Sequence, residues 1–206
     1  MVGYDLGAME RRDSYQLLTR IVGPRPIAFV SCLDPAGRGN LAPFSYFNLG
    51  GLNPPSLVFC ATNTRDGSVK DTVRNVETTG EFVVNVVTRA MADRMNQASW
   101  SYPPEVDEFD AAGFTRADSL RVKPPRVAES PVAIECRLHR ILRHGEGPLA
   151  SNYVIGEALY VHVAEAMLAA DGPDARRLDL IGRLGGDWYV HVAGEALFEL
   201  PRPEGG

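Results

Sequence analysis

Pro26-Ile27-Ala28-Phe29-Val30-Ser31-Cys32-Leu33, then Asp34-Pro35-Ala36-Gly37-Arg38-Gly39, then Asn40-Leu41-Ala42-Pro43-Phe44-Ser45-Tyr46-Phe47-Asn48 is the stretch that decides the fold. Two apolar, β-prone runs joined by a Pro/Gly turn read as a hairpin. Downstream, Leu57 to Thr62 follows Asn53-Pro54-Pro55, where proline sits at a strand's start. Phe82 to Thr88 gives a further strand. From Val132 to His139 the apolar Val132, Ile134, Cys136 and Leu138 alternate with Ala133, Glu135, Arg137 and His139, which predicts one buried and one wetter face. Tyr153 to Val163 and Trp188 to Leu200 continue the β pattern.

Between Ser68 and Thr79 the period changes. Val69, Val73 and Val76 fall on one helical face, Ser68 with Asp71 has the form of a capping box, and Gly80 marks the stop. Ala90 to Ala98 predicts a second short helix. Trp100 to Pro104 and Lys123 to Pro125 mark irregular excursions around a weak segment, Val106 to Phe114. The count is six main strands and two or three short helices without βαβ alternation. That makes the chain mainly β, and an antiparallel Greek-key barrel closes such a set without exposed edges.

The chain has 206 residues, which predicts one domain over 1–206 with an irregular insertion around 100–126. Apolar residues make up 45% and charged residues 23%, enough to build a core and too ordered for a disordered chain. The formal net charge of −5, with no basic run, argues against nucleic acid or an anionic membrane as partner. No stretch is apolar enough for a membrane helix. Cys32, Cys60 and Cys136 are far apart within apolar runs, so they read as buried thiols rather than disulfides or metal ligands. With no signal-like start, the expected location is cytoplasmic.

No nucleophile elbow, zinc-binding His-Glu-x-x-His or phosphate-binding P-loop is present. His139, His144, His162 and His191 lack metal-ligand spacing, and no metal site is expected. The segment from Ser45 to Thr72 is more informative. If the strands pair sequentially, Ser45-Tyr46-Phe47-Asn48 converges with the loop from Thr62 to Gly67 and a helix start bearing Lys70, Asp71 and Thr72. Helix-start amides, an ammonium and hydroxyls suit a phosphate. The same residues also admit a plainer reading, in which Ser68 and Asp71 cap, Lys70 is a solvated charge and the threonines serve turns.

Arg25-Pro26-Ile27-Ala28-Phe29-Val30-Ser31, Asn40 to Asn48, Pro54-Pro55, Lys70-Asp71-Thr72, Asn75 and Gly80-Glu81-Phe82-Val83-Val84-Asn85 together resemble the flavin reductase-like family with its FMN-binding split barrel, in particular its flavoredoxin-like branch. Gly156-Glu157 and Gly182-Arg183-Leu184-Gly185-Gly186 match more loosely. The resemblance implies a split barrel that holds FMN without a covalent bond across a homodimer interface and takes electrons from NADH or NADPH. By the same resemblance Ser45, Tyr46, Phe47 and Asn48 line the isoalloxazine edge. Thr62, Thr64, Lys70 and Thr72 hold the phosphate, Asp71 supports the helix start, and Arg25 lies near the flavin or its phosphate. Leu49-Gly50-Gly51 departs from the small polar residues common in relatives.

Hydride transfer to flavin N5 needs placement more than side-chain chemistry, so no catalytic dyad is expected. His162 and Tyr189, alternating away from the apolar faces of their strands, are the candidates for the nicotinamide side. A partner oxygenase or another acceptor would take the electrons. The competing readings are a non-enzymatic flavin- or haem-binding module on the same barrel and an interaction domain with an empty cleft.

Overall fold

The computed structural model describes residues 1–203. Its main body is a seven-stranded antiparallel sheet with spatial order β2-β1-β5-β8-β9-β4-β3. The strands are β1 (Ala28–Leu33), β2 (Gly39–Phe44), β3 (Phe47–Leu52), β4 (Pro55–Thr62), β5 (Glu81–Asn85), β8 (Val132–His144) and β9 (Ser151–Val163). Between β5 and β8 lie the two-residue strands β6 (Arg116–Ala117) and β7 (Arg126–Val127), which pair with each other. After β9 come the short pairs β10 (Leu168–Ala169) with β11 (Gly172–Pro173), and β12 (Leu180–Arg183) with β13 (Tyr189–Val192). Among the described residues there are four α-helices: α1 (Arg11–Ile21), α2 (Asp71–Thr79), α3 (Ala92–Gln97) and α4 (Glu108–Ala111).

The order of the strands forces the sheet to curl. β2 and β3 are consecutive yet occupy opposite edges. In a flat sheet, strands spaced by about 4.8 Å would hold those edges roughly 29 Å apart, while the link from Phe44 to Phe47 reaches only about 10 Å. The edges therefore meet. The ring of Phe44 on β2 lies 5.0 Å from that of Phe59 on β4, the strand beside β3. Inside the curl Ala28, Val30 and Cys32 of β1 pack with Phe59, Phe82, Val84 and Val154, and α2 closes one end with Val73 and Val76.

The opposite face of β1 is buried too. Ile27 and Phe29 meet Met91, Met95, Phe109 and Phe114 in a second cluster, which explains why β1 reads as a continuous apolar run rather than an alternating one.

Several expectations change. The single strand expected from Asn40 to Asn48 breaks at Ser45-Tyr46 and passes from one edge of the main sheet to the other, so that sheet has seven strands where six were expected. The capping box does not form, because Asp66 takes the Ser68 amide at 2.9 Å and the helix begins at Asp71, with Lys70 at the N-cap and no side-chain cap. The wetter face of β8 is exposed as expected at Arg137 and His139 but covered at Ala133 and Glu135. Glu135 is fully buried beneath residues 119–125, since neighbouring chain rather than solvent lies over it. The strand expected from Trp188 to Leu200 shrinks to Tyr189–Val192 and pairs with β12, outside the main sheet. All three cysteines are buried and free. No helix among the described residues is long and apolar enough to cross a membrane, and no cluster of His, Cys, Asp or Glu there is able to hold a metal ion.

Candidate functional site

A cleft of about 740 Å³ opens where the β2–β3 junction faces the N-terminal segment. Ser45 and Tyr46 of the β2–β3 junction, Cys60 and Thr62 of β4, and Lys70 at the start of α2 line it. Leu6, Met9 and Tyr15 add an N-terminal wall to the lining, with Arg183 from the β12–β13 ribbon. A second groove of about 510 Å³ meets the cleft at Pro43, Phe44 and Lys70. It carries Asp71 and Thr72, and Trp100 and Tyr102 stand on its opposite bank.

Lys70 occupies the seam between these depressions and makes no ion pair or hydrogen bond through its side chain among the described residues. The amides of Val73 and Arg74 donate to the Lys70 carbonyl at 3.0 and 3.1 Å, while the amides of Asp71 and Thr72 have no acceptor in the described residues. They are the open donors that any helix start leaves. Ser45 and Thr62 also keep uncommitted hydroxyls. Where the cleft meets the groove, the Lys70 ammonium therefore joins the hydroxyls on the cleft side to two open amides on the groove side, a donor set suited to a phosphate dianion.

Other predicted site residues serve different ends. The Thr72 hydroxyl is buried and donates to Asn40 Oδ1 at 2.7 Å, and Asn40 in turn donates to Glu108 at 3.0 Å. Only the Thr72 amide remains for a ligand. Burial pushes the Glu108 carboxyl above its ordinary pKa against the lowering effect of the Leu41 amide and Asn40. Thr64 binds Asp66, the Ser68 carbonyl and the Ser68 hydroxyl, and its bond, followed by those from Ser68, holds Asp66 down to about 2. Asp71 pairs with Arg74 on the helix surface. Phe47 packs partly into the barrel core, and the Asn48 side chain turns onto the Leu49 amide at 2.9 Å, so neither lines the cleft within this chain.

His162 and Tyr189 do not come together. His162 Nε2 lies 2.5 Å from Glu135 Oε1, and Glu135 also accepts the amides of Leu120 at 2.8 Å and Val122 at 3.1 Å. Tyr189 lies in a separate depression with Arg89 and Asp93, its ring 4.5 Å from the Arg183 guanidinium. Arg25 lines the cleft as expected, but it is buried and its Nη atoms are spent on backbone carbonyls.

Sequence reading missed the N-terminal wall and the turn from His144 to Ser151 that borders the cleft. The wall had a signal in the four-residue spacing of Leu17 and Ile21, followed by Val22. The turn offers only its Gly145, Gly147 and Pro148, which mark a loop without saying what it borders.

The cleft holds no poised nucleophile. Burial raises the pKa of Cys60 and of Tyr46, keeping the thiol and the phenol protonated near neutrality. The donor set, the polar residues Ser45 and Thr62 and the apolar N-terminal residues suit a ligand that carries a phosphate beside an apolar body.

A family model described as flavin reductase like domain matches residues 22–175. A protein of Aquifex aeolicus (strain VF5) is 40% identical over 188 residues, covering 90% of this chain and 93% of that protein. Among solved structures, nitrilotriacetate monooxygenase component B from Bacillus cereus is similar with a TM-score of 0.90 at 34% identity, over 97% of this chain and 98% of that one. The 2-nitrobenzoate 2-nitroreductase of Pseudomonas fluorescens is similar with a TM-score of 0.85 at 30% identity, over 100% of both chains.

Proposed function

The chain belongs to the flavin reductase-like family, and from that membership we propose that it is an FMN-binding oxidoreductase drawing electrons from NADH or NADPH. One observation carries this reading: Lys70 lines both the cleft of Ser45, Tyr46 and Thr62 and the adjoining groove of Asp71 and Thr72, whose amides are unpartnered among the described residues. Lys70 binds the phosphate by charge, and the amides add donors fixed in place by α2. Ser45 and Thr62 offer hydroxyls to the polar edge of the ring system. Tyr46, kept neutral by burial, gives the ring a flat wall without adding charge. Leu6, Met9 and Tyr15 limit the access of water from their side. Flavin, when bound, supplies the chemistry that accepts a hydride from nicotinamide and passes electrons onward.

The likeness to a monooxygenase component B supports a partner oxygenase as the acceptor, and the likeness to a nitroreductase supports a small acceptor reduced in place. Two copies of the chain completing each other's cleft form the assembly we favour, with Asn48 and the exposed Leu49 and Leu52 of β3 facing the partner.

Anaerobic titration with FMN, followed by addition of each nicotinamide, tests the reading. A protein that turns yellow with FMN and bleaches with NADH or NADPH is the expected result. A yellow protein indifferent to both would make it a binding module, and failure to take up FMN would overturn the assignment of the cleft.

A further inference from the structure

Arg25 opens the sequence run on which the family likeness rests, yet its side chain does not behave as an anion ligand. The residue is 8% exposed. Nη1 donates to the Thr19 carbonyl at 2.8 Å and to the Val22 carbonyl, both at the C-terminal end of α1. Nη2 donates to the Leu184 carbonyl at 3.0 Å, in the turn between β12 and β13. The Arg25 backbone pairs with Arg183 in both directions, at 3.0 and 2.8 Å. Its guanidinium lies 5.9 Å from the ring centroid of Tyr46, which lines the cleft. Nε is the one buried side-chain nitrogen or oxygen among the described residues that lacks a partner.

A guanidinium placed to capture phosphate would turn its paired N–H fork toward the cleft. Here the fork is turned onto the open carbonyls at the end of a helix, where a cation is favoured, and onto a turn that is 159 residues away in sequence. The segments it joins share one more property. Residues 11–21 and 184 both lie outside the 22–175 span of the family match, while Tyr15 and Arg183 line the cleft.

We infer that Arg25 is a positioning residue, fastening α1 and the β12–β13 turn to the barrel so that they form a wall of the cleft that Lys70 also lines. The inference rests on the reading of that cleft as the flavin site. It assigns to Arg25 the placement of the wall that faces the flavin ring, and leaves recognition of the phosphate to Lys70. Lysine is a poor substitute, because a single ammonium does not reach two helix-end carbonyls and a separate turn with one planar group.

The test uses the full chain as wild type, Arg25→Met and Arg25→Lys. Hydrogen exchange on ligand-free protein reads the fastening directly. Arg25→Met should speed exchange in residues 14–22 and 183–187 while β4 and β8 stay protected, and Arg25→Lys should fall between it and wild type. In titrations, FMN and riboflavin should both weaken by the same factor, roughly tenfold, the equivalent of one lost charge-assisted contact. An FMN-selective loss would make Arg25 a phosphate ligand and overturn the inference. Unchanged exchange in either segment would overturn it as well. Should Arg25→Met fail to fold, Arg25→Lys decides by the same two readouts. If wild type binds neither flavin, the functional reading fails, and the exchange data still decide whether Arg25 fastens the wall.

Discussion

Single side chains divide between those that face the cleft and those that hold the scaffold, and Lys70 and Glu135 stand for the two kinds. Lys70 is exposed at the seam of two depressions with no protein partner among the described residues. A charge-assisted bond to a phosphate is worth about 1.5 to 3 kcal/mol, so Lys70→Ala should weaken FMN by roughly ten- to a hundredfold. Riboflavin, which lacks the phosphate, should be unaffected. Parallel titrations of the two flavins check this, and equal losses would place Lys70 away from the phosphate. Glu135 is the reverse case, a carboxylate with no exposure. Burial opposes its ionisation, but the bonds from His162 and from the amides of Leu120, Arg121 and Val122 outweigh that cost, and its pKa is lowered. A folded pKa below the unfolded one means that ionised Glu135 stabilises the protein above the ordinary carboxylate range. That contribution is lost as pH falls through the depressed folded value. Glu135→Gln should cost about 1–3 kcal/mol in denaturant unfolding at neutral pH and flatten the acid side of the stability profile. His162→Ala should lower stability without moving the Michaelis constant for nicotinamide. The candidate residues were legible as types: Ser45, Tyr46, Thr62 and Lys70 were picked from sequence and do share the cleft. What the residue types did not reveal was prior commitment. Nothing in the sequence says that Thr72 donates to Asn40, or that His162 answers to a carboxylate whose strand pattern suggested exposure.

Elements were read best where the periodicity was strong and worst where another segment covers them. The valines of α2 and the left-handed Gly80 at its end, φ 75°, follow the sequence reading. Its start moved because Asp66, within the preceding loop, captures the Ser68 amide that a capping box would have needed. The β8–β9 ladder shows a different limit. Its register shifts between Glu135 and Cys136 and again between Leu138 and Arg140, and near those irregularities Gly156 comes against Phe82. A Cβ at Gly156 would overlap that ring, with Cε1 at 2.7 Å, and the ring is fully buried and closely packed. Gly156→Ala should therefore cost about 1–3 kcal/mol, seen as a lower denaturant midpoint with an unchanged slope. An unaffected midpoint would mean that the ladder gives way there. A strict alternation argument has no means of seeing such shifts, since each one changes which face the following residues occupy.

At the scale of the whole molecule, the two-residue link between β2 and β3 converts a ladder with two edges into a curled barrel and opens the cleft at its seam. Hairpins and strand types were readable because neighbouring residues fix them. The path across the barrel, the N-terminal wall and the β12–β13 ribbon were not, because they depend on contacts between segments far apart in the chain, such as that of Arg25 with Leu184. β3 pairs with β4 alone and exposes Leu49 and Leu52 at 68% and 83%, the kind of apolar edge that a partner covers. Light scattering should give a dimer, and Leu49→Lys should shift it toward monomer; a wild-type monomer that retains flavin would contradict the shared site. The most direct test of the central claim is a crystal structure of the protein soaked with FMN. The account predicts the ring between Tyr46 and the N-terminal wall, with the phosphate on Lys70 and the amides of Asp71 and Thr72. A phosphate seated elsewhere, or a flavin bound outside this cleft, would contradict it.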